Sequence, residues 1–279
     1  MTPKQRDIFA FQLAQSYLPG LNKPGVTQDL VDSYLHIPET KQRPEEMSGV
    51  FKQLLQSAQN ANMKAAVVGG SIGGIEALGA VLDGFDPGYV LQNYRTWDEV
   101  LDRIEAQLKP RGDIRRTNRS IWPQFCQSIL SGAEFLIQFD SADKFYEWAD
   151  IFDIDDRTRP ALPMLLQQEV AGMGFALSCD FLKELGYKNF PKPDVHIKDI
   201  FLALDLCPQT STDYQLFKAV VRVANNSDAT PFAVDKAFWL IGSGYFHDHP
   251  DIGNNGRIGS SKKAFIAYSK EVLVATKTT

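Results

Sequence analysis

Hydrophobic residues recur along this chain with the period of an α-helix. Leu162, Leu165, Leu166 and Val170 stand at i, i+3, i+4 and i+8, and Phe175, Cys179, Leu182 and Leu185 at i, i+4, i+7 and i+10. Ile197, Ile200, Phe201 and Leu204 repeat i, i+3, i+4, i+7, as do Val234, Ala237, Phe238 and Ile241. Each set lines one stripe of a helix with apolar side chains. Sustained alternation with period two is scarce, so the pattern predicts an all-α protein. Breaks in the pattern mark its organisation. Pro19, Pro24, Pro38 and Pro44 interrupt the first helices, and residues 109–119 form a polar connector containing Pro110 and Gly112. The apolar pattern restarts at Ile121, while the glycine- and asparagine-rich stretch 250–261 predicts a loop. The expected division is an N-terminal helical region, 1–108, followed by a second region, 109–279.

Composition narrows the class. With 279 residues, 44% hydrophobic and 23% charged, the chain has ample material for a core and none of the bias of a disordered or fibrous protein. The longest uncharged run, Ser120 to Ala133, is 14 residues and carries Pro123, Gln124 and Gln127, too short and polar to span a bilayer. The N-terminus lacks the apolar stretch of a secretory signal. Cys126, Cys179 and Cys207 are widely spaced, form no CxxC pair and cannot hold an iron–sulfur cluster. A cytoplasmic protein without metal or cofactor is expected. The formal net charge of −5 argues against indiscriminate nucleic-acid binding but leaves room for a local basic face.

One stretch suggests a nucleotide cofactor. Ala65 to Val68 reads as a short strand, Gly69 to Gly74 as a glycine-rich turn, and Ile75 onward as a helix, the order in which a pyrophosphate meets a helix N-terminus. Ser71 replaces the middle glycine of GxGxxG, and Tyr89 to Arg95, where a ribose-binding acid belongs, contain no acid. The preferred reading is therefore a helix start where glycines permit close packing. A dinucleotide-cofactor enzyme built on Gly69–Gly74 is the less favoured alternative.

The more informative segment is 162–206. A helix ending near Val170 meets Ala171-Gly172-Met173-Gly174, and a second helix runs from Phe175 to about Leu185. Two helices joined by a short Gly-x-Gly turn make a hairpin whose backbone N–H groups can approach a DNA phosphate without side-chain obstruction. Gly186 stops the second helix, and Asp194 stands at the mouth of the next, twenty residues after Gly174. An aspartate following proline at a helix start is also a common N-cap.

This order resembles the helix-hairpin-helix DNA glycosylase superfamily, which includes endonuclease III and the 8-oxoguanine and 3-methyladenine glycosylases. The resemblance covers about 50 residues, from Pro160 to Leu206. It implies a two-lobed helical fold, DNA contact through Gly172, Met173 and Gly174, and a catalytic role for Asp194. The implied partner is double-stranded DNA containing a modified base, bound by a monomer without cofactor or metal. Members with lyase activity carry a lysine two residues past the second hairpin glycine; Ala176 stands there. The resemblance thus implies a monofunctional enzyme, which flips out a base and hydrolyses its N-glycosidic bond to leave an abasic site, in repair or against modified phage DNA. The proline usual before the hairpin is Ala171.

Other residues fill out this reading. Trp122, Gln124, Phe125, Gln127 and Ser128 lie on the segment that resembles the helix lining the base pocket, and Trp239 is a further aromatic candidate, although aromatic residues at helical spacing are commonly core. His196 fits the family pattern and is read as structural. Arg115, Arg116 and Arg119 belong to a basic run, 109–119, and Arg257, Lys262, Lys263 and Lys270 to another, 252–270; both suit phosphate contacts. The segment His247 to Asp251 is read as a surface loop. A helix-hairpin-helix DNA-binding protein without catalysis is the principal rival. The base excised is not readable from the sequence.

Overall fold

Short polar side chains start many of the helices. Thr2, Thr27, Ser141, Thr212 and Thr230 each accept a hydrogen bond from the backbone N–H three residues on, replacing a partner the helix cannot supply. Each such cap is worth about 1 kcal/mol. The computed structural model describes residues 1–37, 42–61, 65–247 and 249–275. In chain order the helices are α1 (Pro3–Gly20), α2 (Gln28–Tyr34), α3 (Met47–Ala58), α4 (Ala65–Ile72), α5 (Pro87–Asn93), α6 (Trp97–Leu108) and α7 (Ile121–Leu136). They continue with α8 (Ala142–Asp153), α9 (Ala161–Glu169), α10 (Phe175–Glu184), α11 (Val195–Ala203), α12 (Asp213–Asn226), α13 (Pro231–Ser243) and α14 (Lys262–Ala275). Among the described residues there is no strand, only an isolated antiparallel bridge between Tyr245 and Arg257. The all-α expectation holds. No described helix is long and apolar enough to cross a membrane. Pro38 lies outside the described residues.

The chain divides into two compact units, Met1–Lys41 with Lys188–Thr279, and Gln42–Tyr187. This differs from a division at residue 108. Helix α1 packs on α12 and α13, and the buried carboxylate of Asp7 on α1 accepts from Arg222 Nε (2.8 Å) and Asn226 Nδ2 (2.7 Å) on α12. The connector 109–119 stays within the second unit. There the Arg111 N–H donates to the Ser71 carbonyl (3.0 Å) and its guanidinium to that of Gly70 (2.7 Å).

In Gln42–Tyr187, α7 carries the core. Phe125, Cys126, Ile129, Ala133 and Leu136 are buried as α3, α5 and α6 pack around it. Gly132 lets α3 approach, since a Cβ there would lie 3.0 Å from Leu54 Cδ2. In the other unit α11, α12 and α13 pack with α1, α2 and α14, and Phe238 meets the rings of Phe201 and Phe265 edge-on at 5.2 and 6.1 Å.

The glycine-rich stretch corrects one expectation. Ala65–Ile72 is helical, so the strand–turn–helix of a dinucleotide site does not form; a short 3-10 helix, Ile75–Ala80, starts after Gly74, and the glycines end α4. Gly73 and Gly74 break it with φ of +86° and +122°. Gly69 sits inside α4 because of close packing: its N–H donates to Gln59 Oε1 (3.1 Å), and a Cβ would fall 2.5 Å from that oxygen.

Candidate functional site

The hairpin between α9 and α10 is held from beneath by two serines one turn apart on α7. Ser128 Oγ donates to the Ala171 carbonyl (2.6 Å), and the Ala171 N–H donates to Ser131 Oγ (2.9 Å). Both polar groups of one backbone residue are thereby satisfied by side chains, and Met173, 2% exposed, anchors the turn in the core. Ala171, Gly172 and Gly174 remain exposed. The two glycines differ in kind. Gly172 has φ +78°, and a Cβ there would lie 2.8 Å from Ser128 Oγ; Gly174 is extended (φ −79°, ψ 169°) with open space where a Cβ would be. Gly174 also leaves the first turn of α10 without a side-chain cap. At such a turn, backbone N–H groups and the helix dipole favour an anion.

The base-pocket candidates on α7 are mostly committed to the core of their unit. Trp122 and Phe125 are 4% and 3% exposed and meet edge-on at 6.2 Å. A slot beside them, lined by Gln59, Val68, Gln124, Phe125, Ser128 and Gly172, has about 10 Å³, room for a single water and not for a nucleobase. Ser128 spends its hydroxyl proton on the hairpin. The basic connector is also less positive than its own residues suggest, because Arg116 pairs with Asp102 and Glu105 of α6. Arg115 and Arg119 are exposed.

Asp194 belongs to the unit containing Lys188–Thr279. There the segment 188–194 is tied to α13 before α11 begins. The Phe232 N–H donates to the Lys188 carbonyl (2.9 Å), the Lys192 N–H to Asp235 Oδ2 (2.9 Å), and the Asp194 N–H to the Lys192 carbonyl (2.8 Å). Pro191 and Pro193 flank Lys192 and narrow its backbone freedom. Asp194 then caps α11, its Oδ1 accepting from the N–H groups of His196 (2.8 Å) and Ile197 (3.1 Å). Burial raises its carboxyl above the ordinary carboxylate range and the charge of Asp235 raises it further, against the opposing pull of the cap bond, His196 and Lys192.

His196 packs its ring on Gly242 of α13, where a Cβ would lie 2.5 Å from the His196 Cβ and 2.8 Å from Nδ1. Nδ1 is buried and finds no hydrogen-bond partner among the described residues. Burial lowers the imidazole below its usual range, so the ring is neutral at physiological pH.

Trp239 is half-buried one turn after Asp235 on the same face of α13. The His247 ring stacks on it at 5.1 Å and 14°, and Lys236 Nζ lies 4.6 Å from its centroid. Tyr34 lies parallel to His247 at 6.2 Å and 9°. The second basic run is partly consumed nearby: Arg257 covers the Tyr245 ring at 4.1 Å, and Lys262 pairs with Asp199. No cluster able to hold a metal occurs among the described residues, and Asp248 lies outside them.

Ser131, Asp235 and Gly242 are the site residues that pattern reading missed. A pair of serines at i and i+3 on an apolar helix, and a lone aspartate inside an apolar one, were the available signals.

No protein-family model and no curated protein matches the sequence. Among solved structures, the 8-oxoguanine glycosylase/lyase of Methanocaldococcus jannaschii, in complex with a 15mer DNA containing 8-oxoguanine, aligns with a TM-score of 0.50. The alignment covers 82% of this chain and 94% of that one at 16% sequence identity. The chain is an all-α protein with a glycosylase-like fold.

Proposed function

We propose that the protein is a monofunctional DNA N-glycosylase acting on duplex DNA that carries a modified base. The observation behind this reading is an exposed Gly172–Gly174 hairpin, clamped from α7, followed twenty residues after Gly174 by a carboxylate at the head of a helix. The hairpin backbone and the first turn of α10 would take one DNA phosphate, with Arg115 and Arg119 on others. The target base is first rotated out of the stack, because the duplex hides its glycosidic bond. As the C1′–N bond lengthens, positive charge builds on the deoxyribose and the electron pair leaves with the base. The Asp194 carboxylate stabilises that charge, and its Oδ2, which the cap does not use, takes a proton from the attacking water. A carboxyl raised above its ordinary range is a better proton acceptor than a solvated one. Trp239, on the same face of α13 as Asp235, is less buried than Trp122 and Phe125, and a base stacking on it would take the place of the His247 ring. Trp122, Gln124, Phe125 and Ser128 would need the unit to rearrange.

The test is release of base. Duplexes bearing alkylated purines, 8-oxoguanine or bulky modified pyrimidines are incubated with the protein, and free base is read by mass spectrometry alongside abasic sites. The wild type releases a base and Asp194→Asn does not; full release by the variant refutes the assignment. Because Ala176 stands where the resemblance places a lyase lysine, borohydride is expected to trap no covalent adduct. One observation favours a second reading, a DNA-binding protein without catalysis: capping α11 accounts by itself for both hydrogen bonds to Asp194. That reading expects duplex binding and no abasic site on any substrate.

A further inference from the structure

Asp235 is 1% exposed, and with Lys236 it is one of two charged residues in an otherwise apolar α13. Burying a carboxylate is unfavourable without compensating partners, so its position calls for a cause. Its Oδ2 accepts the Lys192 N–H at 2.9 Å, at the turn between Pro191 and Pro193 that leads into Asp194. Asp235, Trp239 and Gly242 fall at i, i+4 and i+7, one face of α13, which therefore holds the turn, offers an aromatic ring and seats His196.

We propose that Asp235 is the positioning residue of the Asp194 site: through the Lys192 amide it fixes the turn that delivers Asp194 to the head of α11, and it sets a second carboxylate within electrostatic reach. Its importance for catalysis rests on the glycosylase reading; its effect on Asp194 does not. The ionisable groups facing Asp194 are Lys192 from the turn, His196 from α11 and Asp235 from α13, while His196 in turn faces Asp199 of α11 and Lys262 of α14. Of these, Asp235 alone adds a negative charge directly to Asp194. It keeps the proton on Asp194 to higher pH.

Two variants separate anchor from charge. Asp235→Asn retains an oxygen for the Lys192 amide and loses the charge; Asp235→Ala loses both. Carboxyl carbon NMR of the full chain, with the Asp194 signal assigned by its loss in Asp194→Asn, reads the titration. The Asp194 midpoint should fall in Asp235→Asn, and the Lys192 amide should exchange faster with solvent in Asp235→Ala than in Asp235→Asn. An unmoved midpoint, or equal exchange in the two variants, overturns the proposal. Should neither variant fold, the wild type decides: the Lys192 amide must be protected from solvent exchange, and exchange at the rate of an open amide overturns the proposal. Base release is followed in parallel. Its acid limb should move down with the NMR midpoint, whereas a moved midpoint without base release from any substrate refutes the glycosylase reading and leaves Asp235 in its role.

Discussion

The two hairpin glycines should respond very differently to the same substitution. At Gly172 the backbone is left-handed, φ +78°, which costs a residue with a Cβ roughly 1–2 kcal/mol. The new methyl would also lie 2.8 Å from Ser128 Oγ, pushing that hydroxyl off the Ala171 carbonyl and forfeiting about 1 kcal/mol more. Gly172→Ala should therefore destabilise the protein by roughly 2–3 kcal/mol, about a 30- to 150-fold fall in the folded-to-unfolded ratio. At Gly174 the backbone is extended and the space is open, so Gly174→Ala should change stability by no more than about 0.5 kcal/mol. Urea denaturation of the three proteins, compared at equal m-values, measures both effects. Equal stability losses at the two positions would refute the assignment of the clamp to Gly172. Gly174→Ala then becomes the cleaner probe of DNA contact, for a loss of duplex affinity in a fully stable variant reports on the backbone surface alone.

Two further outcomes follow from charge. Asp194 has a folded pKa raised above its unfolded value, so the folded chain holds that proton more tightly and stability falls as pH rises through the window between the ordinary carboxylate range and the raised value. Asp194→Asn, which keeps an N-cap, should raise Tm at neutral pH, with the gain vanishing in acid below the ordinary range; a lowered Tm at neutral pH contradicts this. Arg115→Gln with Arg119→Gln should flatten the salt dependence of duplex binding by about 1.8 in log–log slope if each touches one phosphate, while Arg116→Gln, already paired with Asp102 and Glu105, should change it little. Fluorescence-anisotropy titrations at several salt concentrations measure both, and an equal effect at Arg116 would show that its ion pairs give way to DNA.

What was legible in the sequence was local. Helices α9, α10 and α11 lie within a residue or so of where apolar spacing and glycines place them, and α13 starts three residues before Val234, since periodicity and capping act over a few residues. Asp194 as the head of α11 was likewise visible, because Pro193 and the apolar run after it mark a helix start. The glycine-rich stretch misleads for the same reason: its residues suit a turn, and the packing of Gly69 on Gln59, ten residues earlier, lies outside the local pattern. Arg116 counts as a free cation until α6 folds Asp102 and Glu105 against it. Nothing near Asp235 in the sequence announces the Lys192 amide 43 residues away. The division into compact units differs from a boundary at 108, and the pairing of Asp7 with Arg222 across 215 residues is out of reach of a local pattern.

That pairing also constrains how the protein is made. The chain leaves its first unit after residue 41, builds a complete second unit, and returns at residue 188. On a ribosome, α1 therefore emerges long before α12 and α13, against which it buries Phe11, Ala14 and Leu18. The inserted unit is contiguous and can fold while synthesis continues, whereas α1 waits with its apolar stripe uncovered until most of the chain exists. Chaperone binding during translation should accordingly concentrate on α1 and end only after Arg222 has cleared the exit tunnel.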